Sequence, residues 1–133
     1  MKYILDAWAV VAWLQRENGH LRVRELIEKA QEQEVKLAMS VINFGEVIYR
    51  FAKIKGIEAA KRAERGLRLF PIDIIAPIQE ELVMHAAYLK AQYPISYADA
   101  FAAALTEQEK AILVTGDPDF KRLEKTIKIQ WLR

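Results

Sequence analysis

The stretch Ala111-Ile112-Leu113-Val114-Thr115-Gly116-Asp117-Pro118 decides the fold. Its first five residues are apolar or β-branched and read as a strand. Gly116 ends that strand, and Asp117 before Pro118 has the form of a helix N-cap followed by proline at the first helical position. Strand passing directly into helix is the repeating step of a parallel α/β sheet, and the same step recurs outward from this one. Just upstream, Ser96 caps an Ala-rich helix from Tyr97 to Glu109, after an interruption at Pro94. Before that, Phe70 to Ile75 reads as a strand pushed toward an edge by Pro71, and Pro77 opens a helix to about Gln92. Further back, Lys36-Leu37-Ala38-Met39 is a strand, and Ser40 caps a helix through Lys55 that stops at Gly56. A basic helix from Ile57 to Leu69 follows it.

Near the start, Tyr3-Ile4-Leu5 is a strand ending at Asp6, and Ala7 to Gln15 reads as helix. After a break at Asn18-Gly19, Leu21, Val23, Leu26, Ile27 and Ala30 recur at helical spacing. A short helix from Pro118 and a strand from Thr126 to Gln130 close the chain. Short apolar strands separated by helices predict an α/β fold with a mainly parallel sheet and helices on both faces.

At 133 residues the chain fits one domain, spanning 1–133, and 53% apolar composition suffices for a core at that length. There is no cysteine, which excludes disulfides, thiolate zinc sites and thiol nucleophiles. The longest apolar run, Ala7 to Leu14, is far short of the ~20 residues that span a bilayer. With no signal-like start, a cytoplasmic location is expected. Twenty basic residues against eighteen acidic ones give a net charge of +2, so polyanion-coating tails and acidic disordered segments are excluded.

In sheets of this kind ligands gather outside the carboxyl ends of the strands. Four acidic residues belong there, Asp6, Glu46, Asp99 and Asp117, with Asp119 a fifth candidate. Each also has an ordinary reading. Asp6 and Asp117 suit helix N-caps, and Asp99 stands three residues after Ser96, as in a capping box. Glu46 is four residues before Arg50, the spacing of a surface ion pair. Gly45 beside it weighs against a generic surface helix. Glycine in a helix interior costs ~1 kcal/mol relative to alanine, so close packing is expected there. Taken together, the acids cluster at one sheet edge and would repel one another. A divalent cation relieves that repulsion, and oxygen-only donors favour Mg²⁺ or Mn²⁺ over Zn²⁺. Such a pocket can present an activated water for in-line attack on a phosphodiester.

Four blocks carry a family resemblance: Tyr3-Ile4-Leu5-Asp6-Ala7-Trp8-Ala9, Ser40-Val41-Ile42-Asn43-Phe44-Gly45-Glu46-Val47, Ile95-Ser96-Tyr97-Ala98-Asp99-Ala100-Phe101-Ala102-Ala103-Ala104, and Leu113-Val114-Thr115-Gly116-Asp117-Pro118-Asp119-Phe120. In this order and spacing the chain resembles a PIN-domain protein, and specifically a VapC-type toxin of a toxin–antitoxin pair. The resemblance implies a three-layer α/β/α sandwich around a mainly parallel sheet of four to five strands. It also implies a Mg²⁺- or Mn²⁺-dependent endoribonuclease with Asp6, Glu46, Asp99 and Asp117 as catalytic metal ligands. Thr115 matches the hydroxyl that accompanies such a site, and Asp119 supplements Asp117 and ranks below it. An RNA substrate, a VapB-type antitoxin and a homodimer are the partners it implies. Two positions depart from the pattern: Asn43 replaces a more usual hydroxyl residue, and bulky Trp8 a small one. Neither removes an acidic ligand.

His20 and His85 carry no catalytic expectation. Two other functions compete with the nuclease. A receiver-like phosphoacceptor domain would need paired acids after the first strand and an acceptor at the end of the third, whereas Asp73 lies inside its strand. A catalytically silent PIN-like binding module would have no reason to retain four clustered charges. Setting the five pocket acids aside leaves thirteen acidic residues against twenty basic ones. That polarity, a basic body around an acidic pocket, suits contact with a phosphate backbone.

Overall fold

The computed structural model describes residues 1–132. Strands β1 (Lys2–Leu5), β2 (Lys36–Ser40), β3 (Ile72–Ile75), β4 (Ile112–Thr115) and β5 (Lys128–Trp131) form one sheet. Their order is β3-β2-β1-β4-β5, and every neighbouring pair is parallel. The helices are α1 (Ala7–Leu14), α2 (His20–Gln31), α3 (Val41–Lys55), α4 (Ile57–Leu67), α5 (Glu80–Gln92) and α6 (Tyr97–Gln108). A 3₁₀ helix at Pro118–Leu123 joins the last two strands.

The period-two alternation of strand side chains divides the core into two layers. Tyr3, Leu5, Leu37, Met39, Ile72 and Val114 face α1 to α4, where Val10, Val23, Leu26 and Val47 are fully buried. Ile4, Ala38 and Leu113 face the other way, against α5, α6 and the 3₁₀ residues Phe120 and Leu123. The result is the expected three-layer α/β/α sandwich, with β1, β2 and β4 apolar on both faces as interior parallel strands must be.

Some boundaries differ from the sequence expectation. The helix expected from Pro77 begins at Glu80, with Gln79 extended in front of it at φ −76° and ψ 147°. Residues 76–79 carry the chain from the sheet edge to the opposite layer, and Glu80 and Glu81 place negative charge in the first helical turn. Strand β3 starts at Ile72 rather than Phe70, because the Phe70 N–H still bonds back to Leu67 O in the turn leaving α4. As Pro71 implied, β3 is an edge strand.

The strand order creates one special position. Strands β1 to β3 are laid down outward on one side, and the chain then returns to place β4 against the other side of β1. This reversal opens a crevice beyond the carboxyl ends of β1 and β4.

Candidate acidic metal site

Leu5 of β1 lies opposite Val114 of β4, so Asp6 and Thr115, one residue further along each chain, meet at the mouth of that crevice. Asp6 is only 2% exposed. It caps α1, with Oδ1 accepting from the Ala9 N–H at 2.8 Å, while Oδ2 accepts from the Thr115 hydroxyl at 2.5 Å. The same hydroxyl accepts from the Asp117 N–H at 3.0 Å. Asp117 in turn caps the 3₁₀ helix through the Asp119 N–H at 2.9 Å. The ordinary capping readings of Asp6 and Asp117 are therefore correct as far as they go, and capping is what aims both carboxylates at the crevice.

Asp99 arrives from the opposite layer. Ser96 caps α6 by accepting from the Asp99 N–H at 3.1 Å, which sets Asp99 in the first turn. Glu46 sits one turn into α3, itself capped by Ser40, and pairs with Arg50 at 3.1 Å. Carboxylate oxygens of Asp99, Asp117 and Asp119 all lie within 4.8 Å of one another. Asp119 is thus closer to the centre than its sequence rank implied, because the tight 3₁₀ turn brings it back beside Asp117. Asp6 and Glu46 flank this triplet.

The electrostatics show the strain of this gathering. Burial pushes the Asp6 carboxyl up to about 8; hydrogen bonds from Thr115 and Ala9 oppose the shift, and the charges of Asp99 and Asp117 add to it. Burial also raises Asp99 to about 7, with Asp117, Glu46 and Asp119 adding repulsion and Ser96 opposing it. Such a cluster either holds protons near neutrality or takes up a cation. Its donors are all hard oxygens, which fits a divalent ion of the Mg²⁺ type. Neither histidine belongs to the site; His85 pairs with Glu107 at 3.1 Å.

Residues 3–126 match the PIN domain family. The chain belongs to the PIN-domain family. No curated protein sequence matches it significantly. Solved structures share the PIN fold at low identity. A chain of VapBC2 from Rickettsia felis, bound to a promoter DNA fragment, superposes with a TM-score of 0.72 at 23% identity, covering 98% of each chain. A chain of DNA-bound VapBC from Salmonella typhimurium gives 0.73 at 18%, covering 100% of this chain and 99% of that one. A chain of VapBC-1 from nontypeable Haemophilus influenzae gives 0.71 at 22%, covering 99% and 98%.

In this PIN domain the two departures from the usual pattern are both structural neighbours of the acids. Asn43 is fully buried. Its backbone N–H donates to Ser40 Oγ at 3.1 Å, its Oδ1 accepts from that hydroxyl at 2.7 Å, and its Nδ2 donates to Ala98 O at 2.9 Å. Asn43 therefore ties the start of α3 to the first turn of α6, one turn before Glu46 and one residue before Asp99. Trp8, in the first turn of α1, packs against Gly116. Of the basic groups, Arg22, Arg24, Lys29 and Lys61 pair with acids on their own helices, and Arg68, just past the end of α4, pairs back to Glu64. Arg50 and Arg122 lie at the site, beside Glu46 and Asp119.

The close packing expected at Gly45 is absent. A Cβ there would meet nothing within 4 Å. Gly45 instead lies exposed in a groove of about 690 Å³ between α3 and α4, lined by Val41, Phe44, Ile48, Ala52 and Ile57.

Proposed function

We propose that this PIN domain is a divalent-metal-dependent endoribonuclease, the toxin of a VapBC-type toxin–antitoxin pair. The observation that carries the proposal is the convergence of Asp99, Asp117 and Asp119 within 4.8 Å beside buried Asp6, at the crevice where the strand order reverses. Asp6, Glu46, Asp99 and Asp117 act as the catalytic ligand set, with Asp119 as a supplementary ligand and Thr115 orienting Asp6. Mg²⁺ or Mn²⁺, when bound, supplies a water of lowered pKa and positive charge opposite the attacking and leaving oxygens of the phosphodiester. The chain's own part is to hold the carboxylates converged and to keep Asp6 dry, so that a cation rather than protons balances their charge. Arg50, Lys121 and Arg122 offer positive charge at the rim to the flanking phosphates. RNA as the substrate class rests on the resemblance to VapC toxins.

A VapB-type antitoxin is the proposed partner, and the α3–α4 groove suits its docking. The groove has an apolar floor rimmed by Lys53, Lys61, Glu64 and Arg68, it begins beside Glu46, and among the described residues none lies within 4 Å of a Cβ built on mid-helix Gly45. A homodimer is proposed on the same resemblance; Met84 and Tyr88, 49% and 69% exposed one turn apart on α5, offer an apolar face for it. Among the described residues no helix is long and apolar enough to cross a membrane, which is compatible with action in the cytoplasm. The receiver-like alternative is disfavoured by Asp73, which pairs in register with Ala38 in the middle of edge strand β3 rather than standing at its end.

Expression of the chain alone should arrest growth, and co-expression of the neighbouring open reading frame should relieve the arrest. The purified protein should cleave RNA with Mg²⁺ or Mn²⁺ and lose that activity in excess EDTA. Equal cleavage with and without EDTA contradicts the proposal.

A further inference from the structure

We propose that Trp8 is a positioning residue of the acidic site: its indole, packed on Gly116, sets how closely the turn carrying Asp117 approaches the helix carrying Asp6. The inference rests on the metal-binding reading of the site.

Trp8 stands two residues after Asp6 and Gly116 one residue before Asp117. A Cβ built on Gly116 would lie 2.3 Å from Trp8 Cη2, 2.4 Å from Cζ3 and 2.8 Å from Cζ2. Non-bonded carbons do not approach that closely; attraction between them is best at about 3.5–4.0 Å. The benzo edge of the indole therefore occupies the space a side chain at position 116 would need. Gly116 is buried and is not one of the glycines at positive φ, which are Gly19 and Gly56. Glycine at 116 thus answers a demand for space rather than for an unusual backbone angle. Bulky Trp8 and small Gly116 form one complementary pair.

The ring cannot easily withdraw. Trp8 is half-buried and packs against the core cluster that includes Leu5, Val10 and Val114. Opposing it, the Thr115 hydroxyl draws the same turn toward Asp6 through its hydrogen bond. The hydrogen bond pulls and the indole stops, and the balance fixes Asp117 where it meets Asp99 and Asp119. An aromatic ring used this way has its edge against protein, so a direct role in stacking on a substrate base is the competing account.

The test compares wild type with Gly116→Ala, Trp8→Ala and the double variant, by Mn²⁺ titration without RNA and then by RNA cleavage. Gly116→Ala should weaken Mn²⁺ binding about tenfold, as overpacking at a rigid contact does. The double variant should recover most of that loss, the non-additivity expected of residues in contact. If Gly116→Ala does not fold, Trp8→Ala and Trp8→Phe decide: Mn²⁺ affinity should fall about threefold for alanine and less for phenylalanine. Mn²⁺ affinity unchanged in Gly116→Ala, or a double variant no better than Gly116→Ala, overturns the proposal. So does a Trp8→Ala protein whose only defect is a raised KM for RNA, which is the signature of base stacking. Coupling in Mn²⁺ affinity without any RNA cleavage would leave this inference standing and sink the ribonuclease reading alone.

Discussion

The Thr115 hydroxyl donates to Asp6 Oδ2 at 2.5 Å and accepts from the Asp117 N–H at 3.0 Å, so one oxygen joins the acid after β1 to the acid after β4. Removing it leaves buried Asp6 without its side-chain donor and frees the Asp117 turn. Hydrogen bonds to charged groups contribute ~1.5–3 kcal/mol, or roughly 10- to 100-fold in an equilibrium. Thr115→Val should lose Mn²⁺ affinity at pH 7 by that order, and Thr115→Ser should retain most of it. Calorimetric titration of the three proteins measures the difference.

The raised carboxyls make metal binding pH-dependent. With Asp6 at about 8 and Asp99 at about 7, the metal-free protein holds protons that a cation must displace. Affinity should rise with pH up to about 8, and binding at pH 7 should release protons into a weak buffer. Stability follows the opposite sign. The folded state binds more protons than the unfolded chain between roughly pH 4 and 8, so the metal-free protein should lose stability as pH rises through that window. Melting curves in EDTA at pH 5 and pH 8 check this, and added Mn²⁺ should narrow the gap.

Asn43 carries the cross-tie between α3 and α6. Asn43→Ala removes its side-chain bonds to the Ser40 hydroxyl and to Ala98 O, while its backbone N–H still caps onto Ser40, and leaves buried polar groups without partners, a loss of ~1–3 kcal/mol. Activity should fall as well, because Glu46 and Asp99 are placed by the two helix starts it connects. Asn43→Thr supplies a hydroxyl oxygen that can still accept from Ser40 but has no amide to donate to Ala98 O, and should fall between the two. Thermal denaturation and cleavage rates together separate these cases.

Gly45→Ala should stabilise the protein by ~1 kcal/mol, since the new methyl meets nothing and the helix gains propensity. Cleavage should be unchanged. Gly45→Phe should fill the α3–α4 groove and weaken neutralisation by the antitoxin while leaving RNA cleavage intact, measured as growth rescue on co-expression.

The positions of Asp6, Asp99 and Asp117 were legible because local chemistry sets where each stands. Asp6 and Asp117 follow strands and cap helices, and Ser96 sets Asp99 three residues on, so spacing alone places them. Asp119 was harder to rank, because its proximity to Asp99 depends on the 3₁₀ turn after Pro118 and on the packing of α6 against the sheet. Gly45 was misread for a related reason: a helix glycine signals missing bulk but not whether the space is filled from within or left open. Trp8 and Asn43 stood out in the sequence as departures, yet their roles depend on contacts with Gly116 and Ala98, each more than fifty residues away. The start of α5 was misplaced because a proline before a helix fits both a first helical position and a connecting turn.

The most direct test is cleavage of single-stranded RNA in Mn²⁺ by wild type and by Asp99→Asn, both shown by circular dichroism to be folded. Wild type should cut, and Asp99→Asn should lose activity by at least about a thousandfold, as expected when a catalytic metal ligand is lost. Cleavage by Asp99→Asn at the wild-type rate would contradict the account.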